Sequence, residues 1–70
     1  MTESVYKIIE MVGSSPTSWE DATHNAVKSA ELSIRDLRIA EVVTLDMKIN
    51  EGGKPIFRAK VKLSFKILSD

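Results

Sequence analysis

From Pro55 to Ile67 apolar and polar side chains alternate almost without a break. Phe57, Ala59, Val61, Leu63, Phe65 and Ile67 hold one parity; Arg58, Lys60, Lys62, Ser64 and Lys66 hold the other, with Ile56 the exception. A period of two marks a β-strand with one core face and one polar face. The stretch has a proline only at its first position and no glycine, which suits a central strand better than an edge. The rest of the chain has to supply the cover for its apolar side.

That cover is limited. The chain has 70 residues, and a domain of this size buries only about 60% of its unfolded surface when it stands alone. Without cysteine and with a single histidine, it has no disulfide, thiolate site or histidine zinc site to act as a staple. Self-association is the remaining source of stability. Ten basic and ten acidic side chains cancel, so no global field draws in nucleic acid or an anionic membrane. The basic stripe of the last strand has no interleaved aromatic residue and reads as a solvated face. No apolar run approaches the roughly 20 residues of a membrane helix. Met1-Thr2-Glu3-Ser4 lacks the basic and apolar regions of a secretory leader. We expect one cytoplasmic domain over residues 1–70.

Upstream, Val5 to Val12 reads as a strand ending at Gly13. Tyr6, Ile8 and Val12 share one face with Glu10, and Val5, Ile9 and Met11 share the other with Lys7. Both faces are mostly apolar, and one helix covers only one of them, so the surplus points to a subunit contact. Residues 13–18 form a turn into a helix. Thr17 with Glu20 has capping-box spacing, and Ser15 before Pro16 is a competing N-cap. The helix, Ser18 to Ser33, gathers Trp19, Ala22, Thr23, Ala26, Val27 and Ala30 into one stripe continued by Ile34. Its alanines allow a close approach to a sheet, and Trp19 reads as an anchor at the rim of the core.

Leu37 to Asn50 is the next strand. Its alternation fails near Glu41, which predicts either a bulge or a departure toward another subunit. Asn50-Glu51-Gly52-Gly53-Lys54 closes a hairpin. The order β-α-β-β leaves the last strand antiparallel to both others. The expected fold is therefore α+β, a three-stranded antiparallel sheet in the order 1-3-2 packed on one helix. Nothing in it reads as catalytic. Glu20 and Asp21 are adjacent and diverge by about 100° on a helix, and His24 has no serine or cysteine placed as its nucleophile.

Four stretches carry a family resemblance: Val5-Tyr6-Lys7-Ile8-Ile9-Glu10, Gly13-Ser14-Ser15-Pro16-Thr17-Ser18-Trp19-Glu20-Asp21-Ala22, Ala40-Glu41-Val42-Val43 and Val61-Lys62-Leu63-Ser64-Phe65-Lys66. In order and spacing they resemble the dodecins over essentially the whole chain. The resemblance implies a hollow, spherical homododecamer that binds and stores flavin (riboflavin, FMN or FAD). Its ligands stack in pairs between tryptophans, and a glutamine on the last strand bonds the isoalloxazine edge. The tryptophan position here is Ile39 and the glutamine position is Arg58. Isoleucine offers no π-face, and arginine offers donors only.

The resemblance therefore implies a non-enzymatic small-ligand binding and storage particle whose flavin site is altered, with flavin binding weakened or lost. Arg58 suits either an anionic cargo or an acid across a subunit interface. Ser-Pro-Thr-Ser-Trp-Glu together with Asp46-Met47 looks closest to the calcium-dodecin-like branch, which lacks the flavin-stacking tryptophan. Calcium takes several oxygen ligands, and symmetry axes can collect one carboxylate from each of several subunits. Glu20, Asp21, Glu41 and Asp46 are the metal candidates. Flavin storage despite the substitutions is the remaining alternative.

Overall fold

The computed structural model describes residues 4–68. Residues 1–3, on which the absence of a leader was read, lie outside them. The elements are β1 (Val5–Ser15), α1 (Trp19–Glu31), β2 (Leu37–Lys48) and β3 (Ile56–Leu68). The sheet order is β1-β3-β2, and β3 runs antiparallel to both neighbours. The alternating stretch is thus the central strand, as its composition predicts.

Register sorts the side chains into two faces, because residues directly opposite one another in a ladder point the same way. Val61 and Leu63 stand opposite Met11 and Ile9 of β1 and opposite Val42 and Ala40 of β2. This is the side that α1 covers. Ala59, Val61 and Leu63 are fully buried there, beneath Ala22, Ala26 and Ala30 of the helix. Full burial of a valine or leucine contributes about 1.5–3 kcal/mol, so these two β3 side chains are the main apolar contribution of a small core. The other side of the sheet, the open face, carries Arg58, Lys60, Lys62 and Ser64 along its middle.

The predicted boundaries shift in informative ways. Gly13 does not end β1; the strand continues to Ser15, and Gly13 is buried inside it. A Cβ at Gly13 would overlap the Ala22 carbonyl oxygen and stand 3.0 Å from Ala26 Cβ. The glycine is there to let the helix backbone in. The N-cap is Ser18, whose side chain accepts from the Asp21 amide, where Thr17 or Ser15 was expected. Ser15 is instead buried, donating to Asp21 Oδ2 at 2.7 Å and accepting from the Thr17 amide at 2.9 Å. Near its start α1 is thereby tied to the end of β1. The helix ends two residues before the expected Ser33, at Glu31, and β2 ends at Lys48 where Asn50 was expected.

The predicted bulge exists. Register slips between Val42 and Thr44, making Val43 the extra residue, and again between Leu37 and Ile39. Both halves of β2 remain paired to β3, so the strand does not leave its own sheet. The slip places Ala40, Val42, Leu45 and Met47 on the helix side, and Glu41, Thr44 and Asp46 on the open face. In the hairpin, Gly52 and Gly53 take φ of 98° and 89°, conformations that glycine adopts without strain.

The helix does not span the whole sheet. It packs on β1 and β3, leaving β2 almost bare: Val42, Leu45 and Met47 are 46%, 49% and 45% exposed. The surplus apolar surface predicted for β1 is present too, as Tyr6, Ile8 and Val12 on the open face, but β2 carries as much. The radius of gyration is 14.5 Å, against about 11 Å for a globular chain of this length. Such an elongated protomer leaves much of its apolar surface exposed. No described helix is long and apolar enough to cross a membrane.

Candidate functional site

Where the three strands run side by side, the open face has a shallow depression of about 110 Å³ lined by Val12, Thr44, Asp46, Arg58 and Lys60. Each strand contributes. Val12 and Thr44 flank Lys60 in register, and Asp46 stands directly opposite Arg58. The period-two pattern of β3 sends Arg58 and Lys60 to this side while Ala59 goes to the core.

Its defining contact is a fork. Arg58 Nε donates to Asp46 Oδ1 at 2.7 Å and Nη2 donates to Oδ2 at 2.9 Å. Parallel guanidinium–carboxylate bonds fix direction as well as charge. The fork lowers the Asp46 pKa, chiefly through the hydrogen bond from Arg58; the charges of Arg58 and Lys60 add to this and partial desolvation opposes it. Arg58 is raised in turn, first by the same hydrogen bond. Both side chains remain about half exposed, at 45% and 48%. Of the two sequence-level readings, pairing with an acid is therefore realised, but between neighbouring strands of one chain.

The backbone of Asp46 is held as well. Trp19 Nε1 donates to its carbonyl oxygen at 2.9 Å, and the indole meets Phe57 edge-on with ring centroids 5.0 Å apart. Trp19 thus serves as the expected rim anchor, and it also ties the start of α1 to the strand carrying the acid of the fork.

The other predicted site residues are dispersed. Ile39, 59% exposed, lies on the open face opposite Ser64. It is six positions along β3 from Arg58, about 20 Å at strand rise. One ligand touching both positions would therefore have to sit between subunits. Glu41 faces Lys62, whose other neighbour is Glu10. Glu20 is exposed on α1, and Asp21 is engaged by Ser15. Among the described residues no three histidine, cysteine or acidic side chains gather where they could hold a metal ion.

Val12 and Thr44 were not singled out from sequence, and Lys60 was read only as part of a solvated basic stripe. The signal was present: counting outward from the hairpin pairs Lys48 with Ile56, Met47 with Phe57 and Asp46 with Arg58.

Comparison with known proteins agrees with this fold. The Dodecin family model matches residues 5–68. The calcium dodecin of Mycobacterium tuberculosis (strain ATCC 25618 / H37Rv) is 47% identical over 64 residues, covering 91% of this chain and 90% of that protein. A crystal structure of the M. tuberculosis calcium dodecin, described as calcium chelating with a novel calcium-binding site, superposes with a TM-score of 0.86 at 46% identity, covering 93% of each chain. The dodecin of Streptomyces coelicolor superposes with a TM-score of 0.88 at 30% identity over the full length of both chains.

Proposed function

The chain belongs to the dodecin family, and from that premise we propose that it is a non-catalytic homododecameric particle that holds a small ligand in an altered flavin site. The observation that carries the reading is the Arg58–Asp46 fork. At the position where the resemblance places a glutamine amide stands a guanidinium already committed to a carboxylate. It presents no acceptor to an isoalloxazine edge, and Ile39 presents no ring for stacking. Assembly is supported by the protomer itself, whose β2 flank is half exposed and whose open face exposes Tyr6 and Ile8 beyond the depression.

The test is a riboflavin titration of the purified particle, its mass set by light scattering. Weak or absent quenching of flavin fluorescence at the assembled mass is the expected result. Tight binding at near one flavin per subunit would restore flavin storage despite the substitutions. A monomeric mass would remove the particle.

Calcium binding is the second reading. It is favoured by the calcium dodecin relative and by the half-exposed carboxylate of Asp46, which has to exchange its bonds to Arg58 for the ion. Glu20, Asp21 and Glu41 are dispersed over the protomer, so such a site would draw its oxygens from several subunits. Calorimetric titration with calcium, with Asp46→Asn as the control, tests it; no heat above the buffer blank rejects it.

A further inference from the structure

We propose that the depression beside the fork is a carboxylate-binding site, with Arg58 presenting its unused edge to the ligand. This deepens the reading of an altered site and rests on it. A guanidinium carries five N–H donors in a planar fork. Asp46 takes Nε and one donor of Nη2. That leaves three donors with no partner among the described residues, and one from Nη1 and one from Nη2 form a parallel pair along the outer edge. The Asp46 bonds fix the plane of the guanidinium, so its free edge is already oriented. An arginine held this way loses less side-chain freedom on binding than a mobile one.

The surroundings select the ligand class. Lys60 lines the same depression two positions along β3, Thr44 adds a hydroxyl, and Val12 supplies an apolar wall that is 52% exposed. Asp46, Arg58 and Lys60 together leave one net positive charge. A singly charged carboxylate neutralises it, whereas a phosphate dianion leaves an excess negative charge beside Asp46. The planar donor pair also matches the two oxygens of a carboxylate. The depression holds a headgroup with a small apolar body over Val12, so the cargo class is a small aromatic or aliphatic carboxylic acid.

The test is calorimetric titration of the assembled protein at low ionic strength with three probes sharing one ring: benzoate, phenyl phosphate and benzyl alcohol. We expect saturable benzoate binding about tenfold tighter than benzyl alcohol, and no tighter binding of phenyl phosphate. Arg58→Gln should weaken benzoate about tenfold. Arg58→Lys, which keeps the charge and loses the fork, should recover little of that. Lys28→Gln on the helix should change nothing. Equal benzoate affinity in wild type and Arg58→Gln, or an equal loss in Lys28→Gln, overturns the proposal. Phenyl phosphate binding tenfold tighter than benzoate overturns its assignment to carboxylates. Riboflavin carries no carboxylate, so its titration in parallel separates the two readings. Tight riboflavin binding refutes the altered flavin site whatever benzoate does, and a benzoate response lost in Arg58→Gln keeps the carboxylate site whatever riboflavin does.

Discussion

Gly13 lies directly beneath the backbone of Ala22, so closely that a Cβ on the glycine would overlap the Ala22 carbonyl oxygen and press on Ala26. The helix therefore rests on strand backbone at this point. Its alanine stripe and the missing side chain of Gly13 are two halves of one contact.

Gly13→Ala is accordingly more disruptive to packing than alanine at Gly52 or Gly53, where nothing stands within 4 Å. Neither the carbonyl oxygen of Ala22 nor the backbone nitrogen of Ala26 can swing away as a flexible side chain could, so the helix must lift. Overpacking of this kind costs about 1–3 kcal/mol. Urea denaturation should show the loss as a lowered midpoint. Gly52→Ala, at a turn where nothing stands within 4 Å, should lose only the cost of its positive φ, about 1–2 kcal/mol.

The Arg58–Asp46 pair makes a prediction about pH. The Asp46 pKa is held below its ordinary value of 3.8, so the pair's contribution is fully present above that value. It fades as pH falls through the lower native pKa and the carboxylate is protonated. Thermal denaturation of wild type and Asp46→Asn should therefore differ at neutral pH and converge under strongly acidic conditions. Molar salt should narrow the neutral-pH gap, because the exposed pair is open to screening. A gap that stays constant down to pH about 2 would show that the amide substitution disturbs something other than the charge.

Much of this was legible in the sequence, for reasons that differ by element. The alternation of β3 names its face and its central place, because only one side of a three-stranded sheet is covered and β3 shares that side with both neighbours. The bulge in β2 was visible as a broken parity, although placing the extra residue at Val43 required the register. Gly13 was misread because a glycine ending a strand and a glycine beneath a helix look alike until the partner is known. Ser15 was read as a cap. Its burial and its bond to Asp21 depend on the strand running two residues further than the glycine suggested. The coverage of β1 and β3 but not β2 depends on where α1 crosses the sheet, which no local pattern encodes.

The bare flank of β2 predicts how assembly can be broken. Leu45 is 49% exposed on the helix side, between Val42 and Met47, and its own chain leaves that half open. A charge at a subunit contact must be desolvated without a partner, at a cost of several kcal/mol, whereas the same charge on an isolated protomer stays in water. Leu45→Lys should lower the mass seen by light scattering and, because self-association is the chain's source of added stability, lower the thermal midpoint with it. An unchanged mass would place the contact elsewhere, with the open face around Ile8 as the next candidate.

Restoring the family chemistry tests the altered site most directly. Ile39→Trp supplies a ring for stacking, and Arg58→Gln supplies an amide in place of the committed guanidinium, releasing Asp46. Aromatic stacking adds about 0.5–1.5 kcal/mol beyond buried area, so Ile39→Trp alone should tighten riboflavin binding by up to about tenfold, and the double variant should exceed either single one. Residues 39 and 58 lie about 20 Å apart along one sheet, so a shared ligand has to bridge subunits. The gain should therefore vanish when Leu45→Lys is added, provided that change has dissociated the particle. A gain that survives dissociation would mean that the new tryptophan binds flavin within one protomer, which the register of β2 on β3 does not allow for a ligand held at both positions.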